Sequence, residues 1–253
     1  MIWIPSVLSV DSGFSFSLQI GPILGTSRLR KSMFINTLRF RYQTLEVAGL
    51  DIHVRTLKDN QQFEDPHGEA EQLGISSALW PIFGIVWDSG LVLAHYMSSF
   101  DIVGKRILEI GCGVGVASLV INQRRGQITS SDYHPRAEEF LDENVRINLG
   151  KSIPFYLVDW SKDNSELGKF DVIIGSDLLY EPGNDVFLSD FLERHTMPNA
   201  EVIIVDPGRR IFNRFTKCMT RLSFEHSRKK VLDDVLDKPY KGFVNHYIRS
   251  SDG

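Results

Sequence analysis

The chain contains little cysteine and carries no excess of positive charge. Its two cysteines among 253 residues, Cys112 and Cys218, form no CxxC pair and no zinc-binding spacing, which argues against a disulfide scaffold and favours a reducing cytoplasm. The seven histidines are scattered and contain no HExxH pattern, so we expect no metal site. A formal net charge of −4 offers no general attraction to phosphates, and we expect no nucleic-acid partner.

Long apolar runs are also missing. None approaches the roughly 20 residues that a membrane-spanning helix needs, so we expect no membrane partner. Residues 1–32 have no periodic pattern, and their basic cluster follows the apolar part, whereas a secretory signal carries its basic residues first. We therefore expect a poorly ordered extension at residues 1–32 and a domain at residues 33–253. The content of 42% hydrophobic and 24% charged residues suits a globular domain of that size.

The most informative stretch runs from Lys105 to Ala117, where a short apolar segment breaks into glycines and then resumes with helical periodicity. The apolar segment suits a strand that is buried on both faces, as in parallel sheets. Gly111, Gly113 and Gly115 permit positive φ and would let a ligand lie against bare backbone at the start of a helix. We therefore expect a cofactor-binding turn here.

Two kinds of cofactor, a dinucleotide and S-adenosylmethionine, are candidates for such a turn. A dinucleotide-binding loop would have glycine at position 116, where this chain has Val116. Glu109 lies two residues before the first glycine and could accept a hydrogen bond from an ammonium group, which S-adenosylmethionine carries. Asp132 follows a second predicted strand, at the position where a carboxylate usually binds ribose hydroxyls. These residues favour S-adenosylmethionine.

The chain after this turn alternates between strand and helix patterns, which is typical of an α/β protein with a doubly wound sheet. Before the turn, alternating apolar residues on both sides of Ala48-Gly49 predict a β-hairpin at residues 42–55. Residues 57–74 are polar and predict a surface loop, and Asp88 or Ser89 is expected to cap the next helix. Further strands are predicted at 127–131, 153–158, 170–175, 201–205, 225–231 and 242–249, and helices at 114–122, 135–148, 185–195 and 209–222.

Ligands of such sheets bind beyond the carboxyl ends of the strands, so the residues after each strand are candidates for a site. Asp159 and Trp160 follow the third strand and could bind an adenine ring, or could be an ordinary loop carboxylate and a half-buried ring. The fourth strand is followed by Ser176, Asp177 and, three residues after the aspartate, Tyr180. This segment lacks the prolines that enzymes methylating nucleobase amino groups commonly have there, and Asp177 could also be a structural cap.

The chain resembles the methyltransferase family 16 lysine methyltransferases, which are seven-strand (class I) S-adenosylmethionine-dependent enzymes, from about residue 42 to residue 250. The resemblance implies a three-layer doubly wound (Rossmann-like) sheet of seven strands, mostly parallel with an antiparallel last strand, beside the N-terminal hairpin. It also implies S-adenosylmethionine as cofactor and a lysine side chain of a protein as substrate. The segments that carry it are Trp87–Gly90, Glu109–Gly115, Asp132, Asp159-Trp160 and Asp177–Tyr180.

The resemblance implies roles for individual residues. Asp177 and Tyr180 would be catalytic and would orient the lysine amine beside the methyl donor. Two alternatives stay open, namely a small-molecule N-methyltransferase on the same fold and a non-catalytic cofactor-binding module. Nothing in the sequence specifies the substrate protein or the oligomeric state. The residues expected to bind the cofactor are Trp87, Glu109, Gly111, Gly113, Gly115, Asp132, Asp159, Trp160 and Ser176.

Overall fold

The fold was obtained as a computed structural model, which describes residues 38–181, 183–231 and 235–250. The extension expected at residues 1–32 lies outside the described residues. The elements, in chain order, are β1 (Phe40–Val47), β2 (Leu50–Leu57), α1 (Glu69–Gln72), α2 (Asp88–Ser99), β3 (Arg106–Ile110), α3 (Val116–Gln123), β4 (Gln127–Asp132), α4 (Ala137–Ile147), β5 (Phe155–Leu157), β6 (Phe170–Ser176), α5 (Asn184–His195), β7 (Thr196–Asp206), α6 (Phe212–Arg221), β8 (Glu225–Lys230) and β9 (Phe243–Ile248).

Within the described residues, seven strands form one sheet in the order β5-β4-β3-β6-β7-β9-β8. Strands β3 to β7 pair in parallel, whereas β9 is antiparallel to both of its neighbours. The expected fold class, including the antiparallel last strand, is therefore confirmed. The strand order reverses at β3, because β4 and β5 lie on one side of it and β6 lies on the other. A reversal of this kind opens a crevice at the carboxyl ends of the two diverging strands.

The sheet separates two apolar layers, which is why its central strands are apolar on both faces. On β6, the fully buried Val172 and Ile174 pack with the layer that contains α2, α3 and α4. The intervening Ile173 packs on the opposite side with buried residues of α5 and α6. Successive side chains of a strand point to opposite faces, so a single run of apolar residues serves both layers.

The hairpin of β1 and β2 is fastened to α4 by asparagine side chains. The amide oxygen of Asn144 accepts a hydrogen bond from the backbone N–H of Arg55 at 2.6 Å, and its amide nitrogen donates to the carbonyl of Val114 at 2.9 Å. Asn148 adds a bond in each direction to the backbone of His53. Because Val114 lies in the glycine turn, the buried Asn144 connects the hairpin, α4 and that turn.

Two local expectations are wrong. The N-cap residue of α2 is Trp87, and its side chain makes no capping bond. Asp88 forms an ion pair with Lys238 at 2.8 Å, and the hydroxyl of Ser89 bonds that of Tyr240 at 2.7 Å, so both side chains contact a segment far away in the sequence. The predicted loop at 57–74 also contains the short helix α1. No helix in the described part of the chain has the length and apolar character needed to cross a membrane.

We expect Asn144→Ala to lower the free energy of unfolding by about 2–4 kcal/mol, because it leaves the Arg55 N–H and the Val114 carbonyl without their partner. Chemical denaturation measures this change. Asp142→Ala is the matched control, since Asp142 is exposed on the same helix, and a shift of less than about 0.5 kcal/mol is expected there. Equal losses in the two variants would contradict the role given to Asn144.

Candidate active site

A cavity of about 520 Å³ lies at the carboxyl ends of the parallel strands, where the strand order reverses. Its walls come from the loops after β3, β4, β5 and β6 and from the segment before α2. The elements that form it therefore lie far apart in the sequence and meet only at this edge of the sheet. Of the residues expected to form the site, those that line the cavity are Trp87, Glu109, Gly111, Gly113, Asp132, Asp159, Trp160, Ser176, Asp177 and Tyr180.

The three glycines of the turn all have positive φ, at 58° for Gly111, 53° for Gly113 and 77° for Gly115. A conformation of this kind is costly for residues with a Cβ atom, as the sequence analysis expected. Gly115 is not among the residues that line the cavity. It is the N-cap residue of α3, and a Cβ atom there would lie 2.5 Å from the side chain of Leu141. Its role in this structure is therefore to let the chain enter the helix.

Gly113 faces protein backbone as well as the cavity. A Cβ atom at this position would lie 2.8 Å from the carbonyl oxygen of Phe83, closer than real Cβ contacts. Gly113 also lines the cavity, so the absence of a side chain is needed for packing against the segment before α2 as well as for the ligand contact expected there.

The carboxylate of Asp132 holds the turn in place. It accepts a hydrogen bond from the N–H of Gly113 at 2.7 Å and one from the N–H of His134 at 2.8 Å. Burial raises the pKa of Asp132, and these backbone bonds act in the opposite sense. The ring of His134 stacks on Phe83 with centroids 3.8 Å apart, so the loops after β3 and β4 and the segment before α2 form one connected unit.

Glu109 is almost fully buried, with 4% of its surface exposed, and lies at the inner end of the cavity. One carboxylate oxygen accepts hydrogen bonds from both the backbone N–H and the hydroxyl of Ser118 in α3. Burial raises the pKa of Glu109 to about 7, since the charged form loses its hydration, and the bonds from Ser118 partly offset this. Near neutral pH the free protein therefore contains both forms of this carboxyl group.

The remaining residues expected near the cofactor lie around the cavity with their own local partners. The indole N–H of Trp87 donates to the carbonyl of Ile82 at 2.9 Å, which leaves the ring half-exposed at the mouth. The carboxylate of Asp159 accepts bonds from the backbone N–H and the hydroxyl of Ser161. Trp160 packs partly buried beside the second apolar layer. Asp159 thus has the structural role of a loop carboxylate as well as its place in the cavity wall.

Asp177 is the first residue after β6 and adopts a φ of 60°, a left-handed conformation that few residues with a side chain adopt. Its backbone N–H donates to the carbonyl of Val205 at 2.9 Å, and its carboxylate forms an ion pair with Arg209. Arg209 in turn belongs to a turn held by Asp206, whose carboxylate accepts the N–H groups of residues 208 and 209. Tyr180 is half-exposed at the cavity mouth.

Sequence reasoning missed Arg209 and Tyr133, both of which line the cavity. Tyr133 directly follows Asp132 at the end of β4, and Arg209 lies three residues after the end of β7. The rule that singled out the ends of β5 and β6 would have found both if it had been applied to these strands. Within the described residues, no group of three or more His, Cys, Asp or Glu side chains is arranged to hold a metal ion.

The fold is similar to that of solved methyltransferases. Magnesium protoporphyrin IX methyltransferase from Synechocystis PCC 6803, with bound S-adenosylmethionine, is 18% identical with a TM-score of 0.51, and the match covers 63% of this chain and 76% of that one. TYW2 from M. jannaschii, in complex with the same cofactor, is 12% identical with a TM-score of 0.52, and the match covers 82% and 84% of the two chains. At these identities the likeness establishes the fold alone, which is that of Rossmann-like methyltransferases.

The family model for lysine methyltransferases matches residues 73–221, more than half of the chain, so the protein belongs to this family. The protein N-lysine methyltransferase METTL21A of Mus musculus is 31% identical over 170 residues, which are 63% of this chain and 72% of that protein. The Xenopus tropicalis METTL21A is 31% identical over 116 residues, 44% of this chain and 50% of that protein. The histidine protein methyltransferase 1 homolog of Dictyostelium discoideum is 28% identical over 158 residues, 56% and 51% respectively.

Membership of this family identifies an S-adenosylmethionine-dependent methyltransferase, and the expected cofactor is confirmed. The chain spans only about half the length of the frog and slime-mould relatives that it matches. The substrates of those whole proteins therefore bear on this chain only as a proposal.

We expect Gly113→Ala to lower the melting temperature more than Gly104→Ala does. Both glycines have positive φ, 53° and 72°, so each variant bears a similar backbone strain of about 1–2 kcal/mol. A Cβ atom at Gly104 meets nothing within 4 Å, whereas one at Gly113 meets the Phe83 carbonyl. The difference between the variants in a thermal melt measures that contact. Equal shifts would show that Phe83 moves away without cost.

We expect Glu109→Gln to change how stability depends on pH. The folded protein holds the Glu109 proton more tightly than the unfolded chain, since the pKa is about 7 instead of 4.5, so the wild-type free energy of unfolding falls as pH rises through that interval. Relative to the variant, the wild type should lose about 2–3 kcal/mol between pH 5 and pH 8.

Urea denaturation of both proteins without cofactor measures this difference. His134, whose pKa burial lowers to about 3, contributes in the opposite direction, but it is present in both proteins and cancels in the comparison. Parallel pH profiles would contradict the raised pKa.

Proposed function

We propose that this protein is an S-adenosylmethionine-dependent N-methyltransferase that methylates a lysine side chain of a protein. The observation that supports this most strongly is that Asp177 and Tyr180 line the same cavity as the glycine turn and Asp132. The end of the cavity at the glycine turn and Asp132 can then be assigned to the cofactor, and the end at Asp177 and Tyr180 to the acceptor. Membership of the lysine methyltransferase family and likeness to METTL21A, which is named a protein N-lysine methyltransferase, support the choice of acceptor.

The residues at the inner end of the cavity fit S-adenosylmethionine. A volume of about 520 Å³ lies in the range of small-molecule sites, and the buried Glu109 offers a carboxylate for the ammonium group. Asp132 would take the ribose hydroxyls, and Trp160 with Asp159 would border the adenine. When bound, the cofactor supplies an electrophilic methyl group that an amine nitrogen accepts as the carbon–sulfur bond breaks, leaving S-adenosylhomocysteine.

The outer end of the cavity has to present the lysine as a neutral amine. Lowering its pKa from about 10.4 to about 7 requires roughly 4–5 kcal/mol of differential stabilisation. The aromatic side chains of Trp87, Tyr180 and Phe187 at this end can supply part of it, because they replace water around the amine. The Asp177 carboxylate acts as a hydrogen-bond acceptor that orients the nitrogen.

Arg209 affects how strongly the Asp177 carboxylate favours the protonated form of the amine. An unpaired carboxylate beside the amine would favour the ammonium form, which cannot attack. The ion pair with Arg209 offsets part of the charge of Asp177, since Arg209 also lies 3.6 Å from the carboxylate of Asp206, while the Asp177 carboxylate retains oxygen lone pairs for the amine. We therefore assign Arg209 the role of a positioning residue, and Asp177 and Tyr180 the contacts with the acceptor.

The proposed acceptor is tested by following labelled methyl groups from S-adenosylmethionine into a lysate that contains the protein's natural partners. Label recovered as methyl-lysine after acid hydrolysis of the protein fraction supports the proposal. Label that stays in the small-molecule fraction would favour a small-molecule N-methyltransferase. Label recovered as methylhistidine or methylarginine would show that a histidine or arginine side chain is the acceptor. No transfer at all would support a non-catalytic module.

We expect Asp177→Asn to cut methyl transfer by roughly two to four orders of magnitude while leaving the affinity for S-adenosylmethionine within about twofold. Asparagine tolerates the left-handed backbone of this position, so the variant avoids the strain that alanine would add. Tyr180→Phe should cost only about 0.5–1.5 kcal/mol, because the ring stays and one hydrogen bond is lost.

Calorimetry for cofactor binding and the labelled-methyl assay for turnover separate the two effects. Asp190→Asn, an exposed change on α5, is the matched control and should behave as the wild type. If Asp177→Asn loses cofactor in proportion to activity, Asp177 is a structural cap and the assignment is wrong.

A further inference from the structure

A second cavity, of about 670 Å³, lies beside the first. One wall is the hairpin, with Arg41, Gln43 and Leu45 of β1 and the end of β2. The opposite wall is formed by Lys238 and Tyr240, and the floor by the segment that leads into α2. Of the residues expected to bind the cofactor or the acceptor, Trp87 and Asp177 line this cavity, and both also line the first cavity.

The boundary between the two cavities is the most informative feature of the second cavity. Trp87 and Asp177 line both cavities, and so do Ile85 and Val86. Asp177 is also the residue to which we assign the orientation of the acceptor amine. A side chain that entered through the second cavity would therefore reach Asp177 through a space that the glycine turn does not line, so it would not compete with a ligand bound at that turn.

The walls of the second cavity are held in place by specific contacts. Lys238 is paired with Asp88 at 2.8 Å, and the buried hydroxyl of Tyr240 bonds that of Ser89 at 2.7 Å. Both contacts tie the segment around residue 240 to the first turn of α2. The hairpin wall is fixed through Asn144, as described above. Both walls of the cavity are thus bonded to the rest of the domain.

Three cations and three carboxylates line this cavity, but they differ in their partners. Each carboxylate has a cationic partner, Asp59 in Arg39, Asp88 in Lys238 and Asp177 in Arg209, and Arg209 also lies 3.6 Å from the carboxylate of Asp206. The side chains of Arg41 and Lys58 are exposed at the rim and form no ion pair within the described residues. These two cations are therefore available to a ligand, in a chain whose formal net charge is −4.

A cationic rim repels a lysine ammonium group that arrives alone. A segment that brings carboxylates on either side of its lysine is attracted instead, and the same two cations disfavour protonation of the amine once it is inside. Arg41 and Lys58 thus select for the sequence around the acceptor and also assist the loss of its proton.

We propose that the second cavity binds an extended protein segment whose acceptor lysine is flanked by aspartate or glutamate, with Arg41 and Lys58 as the residues that select the acidic flanks. This inference rests on the proposed protein-lysine activity and adds the direction of entry and the chemistry of the segment. The cofactor would occupy the first cavity, and the lysine would meet it at Asp177.

Two peptide pools with a central lysine test the proposal, one with acidic and one with neutral amide residues at the flanking positions. The wild type should methylate the acidic pool with a kcat/KM about fivefold to tenfold higher than the neutral pool at low salt, and the preference should shrink as salt is added. In the double variant Arg41→Gln, Lys58→Gln, the preference should vanish, chiefly through KM, with cofactor affinity unchanged.

Binding of fluorescent pools to protein saturated with S-adenosylhomocysteine gives a second measurement that does not depend on turnover. Lys169→Gln is the control, since Lys169 is exposed at the opposite end of β6, and it should retain the preference. Equal preferences in the wild type and the double variant would overturn the role of this cavity while leaving the proposed function intact. Methylation of neither pool, together with transfer to small amines, would overturn both.

Discussion

The partly buried carboxylate of Asp132 is the group on which the rest of the candidate site depends. It binds the N–H of Gly113 on one side and the N–H of His134 on the other. His134 stacks on Phe83, and the Phe83 carbonyl lies against the bare Cα of Gly113, which closes a ring of four contacts. Each member fixes the next, so the loops after two strands and the segment before α2 take up one arrangement. The carboxylate proposed to bind the ribose hydroxyls thus also holds the backbone of the two loops in place.

The fold was largely predictable because its determinants are local. The alternation of apolar residues in the hairpin and the turn at Ala48-Gly49, both with positive φ, set the pairing of β1 with β2. The central strands could be recognised as continuous apolar runs, since both of their faces are buried. The capping of α2 was not predictable, because Asp88 and Ser89 are engaged by Lys238 and Tyr240, residues about 150 positions away. No pattern around the helix start contains that information.

The candidate site was predictable to the extent that it follows the ends of strands. Asp132 ends a parallel strand, Asp159 and Asp177 come shortly after two others, and the sheet brings all three to one cavity. Gly115 was expected beside them, yet its position is set by the entry into α3 and by Leu141. Arg209 escaped notice because it was placed inside the helix predicted at residues 209–222, whereas it lies in the loop between β7 and α6. Only the pairing of β6 with β7 shows that it reaches Asp177.

The two halves of the candidate site are also coupled through the packing of an apolar side chain, Leu178. Leu178 is buried next to Asp177, and Cβ atoms at Gly111 and Gly175 would lie 2.5 Å and 2.6 Å from its methyl groups. These two glycines, at the ends of β3 and β6, leave the space that Leu178 fills. With Leu178 anchored there, the preceding residue has to turn through a left-handed conformation, which directs Asp177 toward the cavity and Arg209. Gly111 is therefore needed by the Asp177 loop as much as by the glycine turn. The sequences Gly-x-Gly and Asp-x-x-Tyr are linked in this chain by packing as well as by chemistry.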